Sequence, residues 1–426
     1  MTRSIGASMA LIGVGMDQPR WNEVYLIASA RGISVCGDLL AATALAIVLQ
    51  EQGAGGYTVA ALLLSAALPP VLLARLTGRV ADRLDSRRII MAVAPVQALC
   101  CLAMLTTSVP GMLITLNALL ACGVAVTQPV FAALAPAMVG VDNVPRASAI
   151  TQTFTSAGMF AGPVLAGVLV SIDGPRLPLV LDAASFLAIA LVGLVIRTSR
   201  AHRQPAPSAP HSPPVVVYRV RDDRVLLVAL AMVAAVVAAA NLMDVAVVFF
   251  VRSTLHASAS MYGFVMGSWM LGLVFGAWAA ARGRTDDHGY LIRLVTGLAL
   301  VSAGILAGGT VSEAGWVIPA FVIGGIGNGM LGSAAGTLVA RRTPEEARGM
   351  GFATLGAVIN GAMVAGFLIA GGLLEVVSPR LVLIWSGASA LALVLASAVP
   401  VLTMSRRQRH AADGSVTLVG AADRNG

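Results

Sequence analysis

Charged side chains are scarce within the long apolar runs of this chain, so the few that occur there are the first candidates for chemistry. Asp38, Asp182 and Asp244 each interrupt such a run, and Arg31 lies seven residues before Asp38. Seven residues make about two helical turns, which sets Arg31 and Asp38 on one face of a helix. A charge in hydrocarbon costs at least roughly 2.5 kcal/mol, so such groups usually turn toward a cavity and mark a substrate or ion path. The plainer alternative for each aspartate is a cap on an irregular helix or a structural pair with an arginine. Gln152, Thr155, Asn241, Met270, Asn328 and Asn360 are polar or adaptable residues within the same runs and are expected to line the cavity. A mostly apolar cavity with few polar groups suits lipophilic or amphipathic cargo better than a sugar.

Enzyme chemistry of the soluble kind has no foothold. None of the five histidines forms a metalloprotease-like pair or sits beside a serine or cysteine nucleophile. Cys36, Cys100, Cys101 and Cys122 all fall in apolar runs without the spacing of a metal site or disulfide framework, and read as small core residues. No GxxxxGK[ST] phosphate loop is present to drive an ATP pump. No enzyme activity, metal or cofactor is therefore expected.

The elements that must position these residues are membrane helices. Of 426 residues, 58% are hydrophobic and only 11% charged, with a mean hydropathy of +0.86. A soluble domain carries roughly 25% charged residues, so lipid must be the main solvent. Runs of about 20 apolar residues are long enough to cross as helices. They fall near Val24 to Leu49, Thr58 to Leu76, Ile89 to Thr107, Gly111 to Leu134, Ala147 to Ile172 and Leu177 to Ile196. A second six follow near Val225 to Val251, Met261 to Ala281, Leu291 to Gly309, Gly315 to Ala340, Gly349 to Val376 and Arg380 to Leu402.

The expected fold is thus an all-α membrane protein of about twelve spans in two six-helix halves, 24–196 and 224–403. The intervening stretch, 197–223, holds five prolines among polar and basic residues and reads as a cytoplasmic linker. Segment 1–23 reads as a retained cytoplasmic N-terminus, since no clear small-residue cleavage site follows its short apolar stretch. Segment 404–426 reads as a cytoplasmic tail, disordered after Ser405.

Charge sets the orientation. The formal net charge is +8 and all 28 basic residues are arginine. With both termini cytoplasmic, Arg176, Arg252 and Arg380 fall outside and Arg31 lies within the first span. Every other arginine, Arg75 at a helix end included, is then cytoplasmic, as the positive-inside rule requires. This distribution also argues against nucleic acid as a partner.

The halves repeat one another. AGPVLAGVLVSIDGPRLPLVLDAAS, from Ala161, aligns without a gap with AGFLIAGGLLEVVSPRLVLIWSGAS, from Ala365, at a shift of 204 residues. Nearby shifts pair Asp38 with Asp244 and Tyr57 with Tyr262. Two parallel six-helix repeats around a midplane cavity are the architecture of a rocking transporter.

Three stretches carry a resemblance to a known family. GRVADRLDSRR, from Gly78 to Arg88, resembles the signature loop of the major facilitator superfamily, with a glycine, an acid four residues later and a basic cluster. Gly78 permits close helix approach, Asp82 accepts hydrogen bonds, and Arg83, Arg87 and Arg88 hold the loop at the inner surface. The resemblance implies that this loop latches the halves together in the outward-facing state. Ser86 stands where the family usually has a basic residue, and the second copy, around Gly283, Arg284 and Asp287, is degraded. Gly158, Gly162, Pro163 and Gly167 are similar to the glycine and proline pattern of antiporters in that superfamily. PAMVGVDNVPRASAIT, from Pro136, with Ala30-Arg31-Gly32-Ile33-Ser34 and Asp38, resembles the enterobactin exporter and macrolide-efflux branch.

That resemblance implies secondary active export of a drug, siderophore or secondary metabolite across the inner (plasma) membrane, by proton antiport, from a monomer. Asp38 is then the expected protonation site, with Arg31, Asp244 and Asp182 as further coupling candidates. The arginine that many proton-drug antiporters place in span four is missing, and Asn117 is the nearest polar residue there. Alternatives are a lysophospholipid or lipid carrier of the same fold and, in another class, a receptor or scaffold that has lost transport.

Overall fold

The computed structural model describes residues 20–140, 143–196, 223–280, 282 and 286–422, with the side chains of 81–83, 133, 135, 346 and 405–422 outside the description. Among the described residues, twelve helices are long and apolar enough to cross a membrane. The first six are α1 (Trp21–Glu51), α2 (Gly56–Arg83), α3 (Ser86–Met104), α4 (Pro110–Val139), α5 (Val144–Asp173) and α6 (Arg176–Val195). The second six are α7 (Arg224–Phe249), α8 (Ala259–Ala280), α9 (Asp287–Thr310), α10 (Ala314–Arg342), α11 (Arg348–Leu373) and α12 (Pro379–Ala422). Each expected span coincides with one helix. The expected linker, 197–223, lies outside the described residues except for Asp223, as does 1–19 of the N-terminal segment.

Three boundaries differ informatively. Helix α2 runs on through Arg83, so Gly78 to Arg83 are helical and only Leu84 and Asp85 form the turn. Asp85 caps α3, accepting from the backbone N–H groups of Arg87 at 2.7 Å and Arg88 at 3.2 Å, which satisfies donors at an otherwise open helix start. Helix α7 ends in a π-helical turn, Phe250–Thr254. The tail expected to be disordered instead continues α12 as helix to Ala422. Alanine, arginine and glutamine, which favour helix, carry the helix past the last apolar turn.

Packing follows from small residues. In lipid, apolar side chains gain nothing by leaving one apolar medium for another, so close backbone contact holds helices together. Helices α8 and α10 show this best: a Cβ at Gly272 or Gly276 would strike the carbonyls of Val322 and Ile326, and one at Gly325 or Gly329 those of Trp269 and Leu273. Large apolar side chains such as Leu72 and Leu99 stay exposed on the spanning helices, as a lipid-solvated protein allows.

The repeat is visible in three dimensions. Gly162 on α5 packs against Cys36 and Leu39 of α1, and its counterpart Gly366 on α11 packs against Ala238 and Asn241 of α7. The halves meet through α5 with α8 and α2 with α11, two pairings that exchange under the repeat.

Candidate functional site

Asp38 sits in the middle of α1, and its Oδ1 is buried with no hydrogen-bond partner. Asp182, on α6, is completely buried and lies within electrostatic reach of Asp38, as does Arg31. Gly37 makes this approach possible, because a Cβ there would collide with Asp182 Oδ1 and lie 2.8 Å from Ser185 Oγ. Asp182 is the better held of the two carboxylates. The Cys101 thiol of α3 donates to its Oδ2 at 3.3 Å, and Ser185 Oγ donates to its backbone carbonyl at 2.7 Å while lying 3.3 Å from Oδ1. Three helices thus bring two acids together in apolar surroundings, where two negative charges at once are costly.

Arg31 shares the face of α1 with Asp38 as expected, but the two form no ion pair. Its guanidinium instead lies 5.3 Å from the centroid of the Phe131 ring on α4, in a cation–π contact. It lines a cavity of 320 Å³ between α1, α4 and α5, at the membrane end that carries the start of α1. Gln152 and Thr155 line the same cavity, beside Gln128, Ser148 and Thr151.

The remaining candidates are not gathered there. Asn241 Nδ2 donates to the Val237 carbonyl of its own helix at 2.7 Å, while Met270 packs against the main apolar core. Asn328 and Asn360 are half-buried on α10 and α11. Asp244, half-buried on α7, is within electrostatic reach of the buried Tyr262 on α8. Asn117, in the span without an arginine, ties α4 to α2, donating to Ser65 Oγ at 2.8 Å and to the Leu62 carbonyl at 3.2 Å.

The glycine and proline pattern of α5 packs partly within its own half and partly across the seam between halves. Gly158 and Gly162 face the backbone of α1 at Gly32 and Cys36, whereas Gly167 faces Ala259 and Gly263 of α8 across the boundary between halves, and the Pro163 carbonyl also abuts Gly263. At the membrane end away from the chain termini, further contacts join the halves. Glu51 pairs with Arg252, Gln50 Nε2 donates to Ser253 Oγ at 3.1 Å, and the hydroxyls of Ser171 and Ser260 lie 3.0 Å apart. Nearby, a Cβ at Gly56 would press on Leu374, just past the end of α11.

At the opposite end, the described residues of the expected latch make contacts within one half. A Cβ at Gly78 would meet nothing within 4 Å among the described residues, so none of them makes the close approach expected there. Arg87 Nη2 donates to the Leu194 carbonyl of α6 at 2.9 Å, within the same half, and Arg88 is exposed. The side chains of Asp82 and Arg83 lie outside the described residues, as do Gly283 and Arg284 of the degraded copy. Asp287 of that copy pairs with Arg341 on α10, again within one half.

Sequence reasoning missed Gln128, Ser148 and Thr151 in the cavity wall and the Cys101–Asp182 hydrogen bond. Ser148, Thr151, Gln152 and Thr155 share helical spacing of three and four residues, a polar stripe that was legible along α5. The thiol contact was not, because it joins residues far apart in the chain.

The family profile of the Major Facilitator Superfamily matches residues 27–337 and 236–419. Among solved structures, the nucleoside transporter NupG has a TM-score of 0.70 at 12% identity, covering 88% of this chain and 98% of its own. The POT family transporter PepTSo has a TM-score of 0.69 at 12% identity, covering 91% and 98%. A bacterial homologue of the iron transporter ferroportin, in its inward-facing state, has a TM-score of 0.65 at 14% identity, covering 89% and 99%. At such identities these likenesses speak for the fold alone. No curated protein sequence matches. The chain belongs to the Major Facilitator Superfamily, and is a multi-pass membrane transporter for a small-molecule substrate.

Proposed function

We propose that this member of the Major Facilitator Superfamily is a secondary active transporter that exports small amphipathic molecules in exchange for protons, with Asp38 as the exchange site. The observation that carries this reading is the buried Asp38 Oδ1 without a hydrogen-bond partner, next to a second buried carboxylate. A lone carboxylate in such a place is costly as a charge and is relieved by binding a proton. Gly167 and Pro163 of α5, packed against α8 at the seam between halves, support the antiporter reading, since that seam is what must slide when the halves rock.

In this reading both termini are cytoplasmic and the protein works as a monomer in the inner membrane. The contacts joining Glu51 to Arg252 and Ser171 to Ser260 then close the outer end. Cargo enters from the cytoplasm between α1, α4 and α5. Rocking opens the outer contacts, cargo leaves, and a proton taken up at Asp38 accompanies the return. The freedom around Gly78 fits a latch that engages only in the outward-facing state.

A second reading of the coupling has its own observation. Arg31 lies within reach of Asp38 and is held by no ion pair, so a proton on Asp38 leaves Arg31 freer to attract an anionic cargo; proton and cargo would then load together.

The test is transport in proteoliposomes with an imposed proton gradient, following a lipophilic dye for wild type and Asp38→Asn. Exchange predicts that dye moves against the proton flow and that the mutant loses this movement while remaining folded. Dye movement indifferent to both the gradient and the mutation would overturn the assignment of Asp38.

A further inference from the structure

We infer that the cavity between α1, α4 and α5 is a binding site for an organic anion, an acidic head group on a compact apolar body, with Arg31 as its anchor. The inference names the cargo class for the transport site proposed above, and so rests on that cavity being the one the cargo uses.

The argument starts from the cost of Arg31. A guanidinium within a membrane span needs a partner. Among the described residues, Arg31 has neither an ion pair nor a hydrogen bond, only the Phe131 ring beneath it at 5.3 Å and Asp38 at electrostatic range. The five N–H donors of its planar fork thus have no hydrogen-bond acceptor among the described residues, on a side chain that lines the cavity. That fork matches a carboxylate, sulfonate or phosphate oxygen pair.

The walls supply the rest of the recognition. Gln128, Ser148, Thr151, Gln152 and Thr155 offer further hydrogen bonds, while apolar residues such as Ile27 and Met138 offer surface for a hydrophobic body. A volume of 320 Å³ is at the small end of ligand pockets, which span roughly 300–1,000 Å³. Among the described residues no acid lines the cavity, so against these walls a cation would meet Arg31 with no compensating charge and a neutral molecule would leave the guanidinium unpaired. Among the described residues the other charged groups nearby are Asp38 on α1, Arg146 of α5 stacked 4.6 Å over Trp21, and the Arg20–Glu23 pair at the start of α1.

The test uses three probes of one shape: 1-naphthoate, 1-naphthylmethanol and 1-naphthylmethylammonium. Their binding to the full-length protein in phosphatidylcholine nanodiscs is measured by equilibrium dialysis at pH 6 and pH 8, with empty nanodiscs as the blank. The expected result is saturable naphthoate binding, at least tenfold tighter than either comparator, weakened about tenfold or more by Arg31→Gln and partly kept by Arg31→Lys. Thr155→Val on the facing wall tests the same site without removing its charge, and is expected to weaken naphthoate severalfold. Absence of saturable naphthoate binding, equal binding of the alcohol, or naphthoate affinity unmoved in both Arg31→Gln and Thr155→Val would overturn the site.

The two pH values separate this inference from the transport reading. Naphthoate that binds tighter at pH 6 loads together with a proton, which overturns exchange at Asp38 and leaves the anion site standing. Binding that is unchanged or weaker at pH 6 leaves both standing.

Discussion

Asp38 and Asp244 occupy matching places in the two repeats, on α1 and α7, yet their surroundings have diverged. Around Asp38 stand Arg31 and Asp182; at the matching positions of the second half stand Val237 and Ser386. Ser386 is buried and donates to the Leu383 carbonyl of its own helix at 3.0 Å, so it carries structure and no charge. The 320 Å³ cavity likewise belongs to the first half. The backbone symmetry that packs α1 against α5 and α7 against α11 is kept, because glycine contacts set the helix spacing in both. The charged neighbours are not kept: Arg31 and Asp182 have no charged counterpart in the second half, so only the aspartate itself repeats.

The sharpest way to break this comparison is to neutralise each aspartate in turn. Asp38→Asn is expected to abolish gradient-driven transport, about 100-fold or more, while Asp244→Asn lowers it by less than about tenfold, a moderate share of what acid–base groups contribute. Equal losses in the proteoliposome assay would show that both halves carry the coupling.

A transplant comes next. Val237→Arg places the Arg31 charge in the second half, at a position packed against the main apolar core, and should destabilise the protein by roughly 2.5–3.5 kcal/mol. A melting temperature unchanged from wild type would mean that the second half has a hidden polar space of its own.

Closeness of packing within each half can be probed with Gly162→Leu and Gly366→Leu, equivalent positions on α5 and α11. Each should cost about 1–3 kcal/mol through overpacking, read as a drop in melting temperature, and the two drops should be similar if the helix spacing is as symmetric as the glycine contacts suggest.

The smallest effect is expected at the end away from the termini. Glu51 is about half exposed, its side chain 45% accessible, and exposed ion pairs contribute about 0.2–1 kcal/mol. Glu51→Gln should therefore shift the balance between conformations by no more than about fivefold. Distances between spin labels at Gln52 and Leu255 report that shift. A complete switch would make the Glu51–Arg252 pair the dominant lock on this end.

How far the site could be read in advance differs residue by residue. Arg31, Asp38, Gln152 and Thr155 stood out because polar groups in apolar runs are expensive, and three of these, Arg31, Gln152 and Thr155, line one cavity. Asn241 stood out for the same reason, yet it spends its amide on its own helix. Gly78 was expected at a helix contact, but a residue's partner depends on which conformation the halves adopt, and no local pattern records that. Cys101 read as core filling and proved also to hold Asp182, a contact that needs α3 and α6 to be neighbours.

The sequence by itself determined that the chain lives in a bilayer, that it crosses about twelve times, that it is a tandem repeat, and which intramembrane charges are anomalous. These follow from hydrophobic length, internal alignment and the cost of charge in hydrocarbon, all local or one-dimensional quantities. Only the tertiary structure decided that Asp182 stands beside Asp38 while Arg31 turns away to the α4 and α5 wall, and that the halves meet at one end through Glu51 and Arg252. Those facts depend on how closely glycine-lined helices approach and at what rotation, and in lipid that is set by the fit of whole surfaces rather than by any one residue.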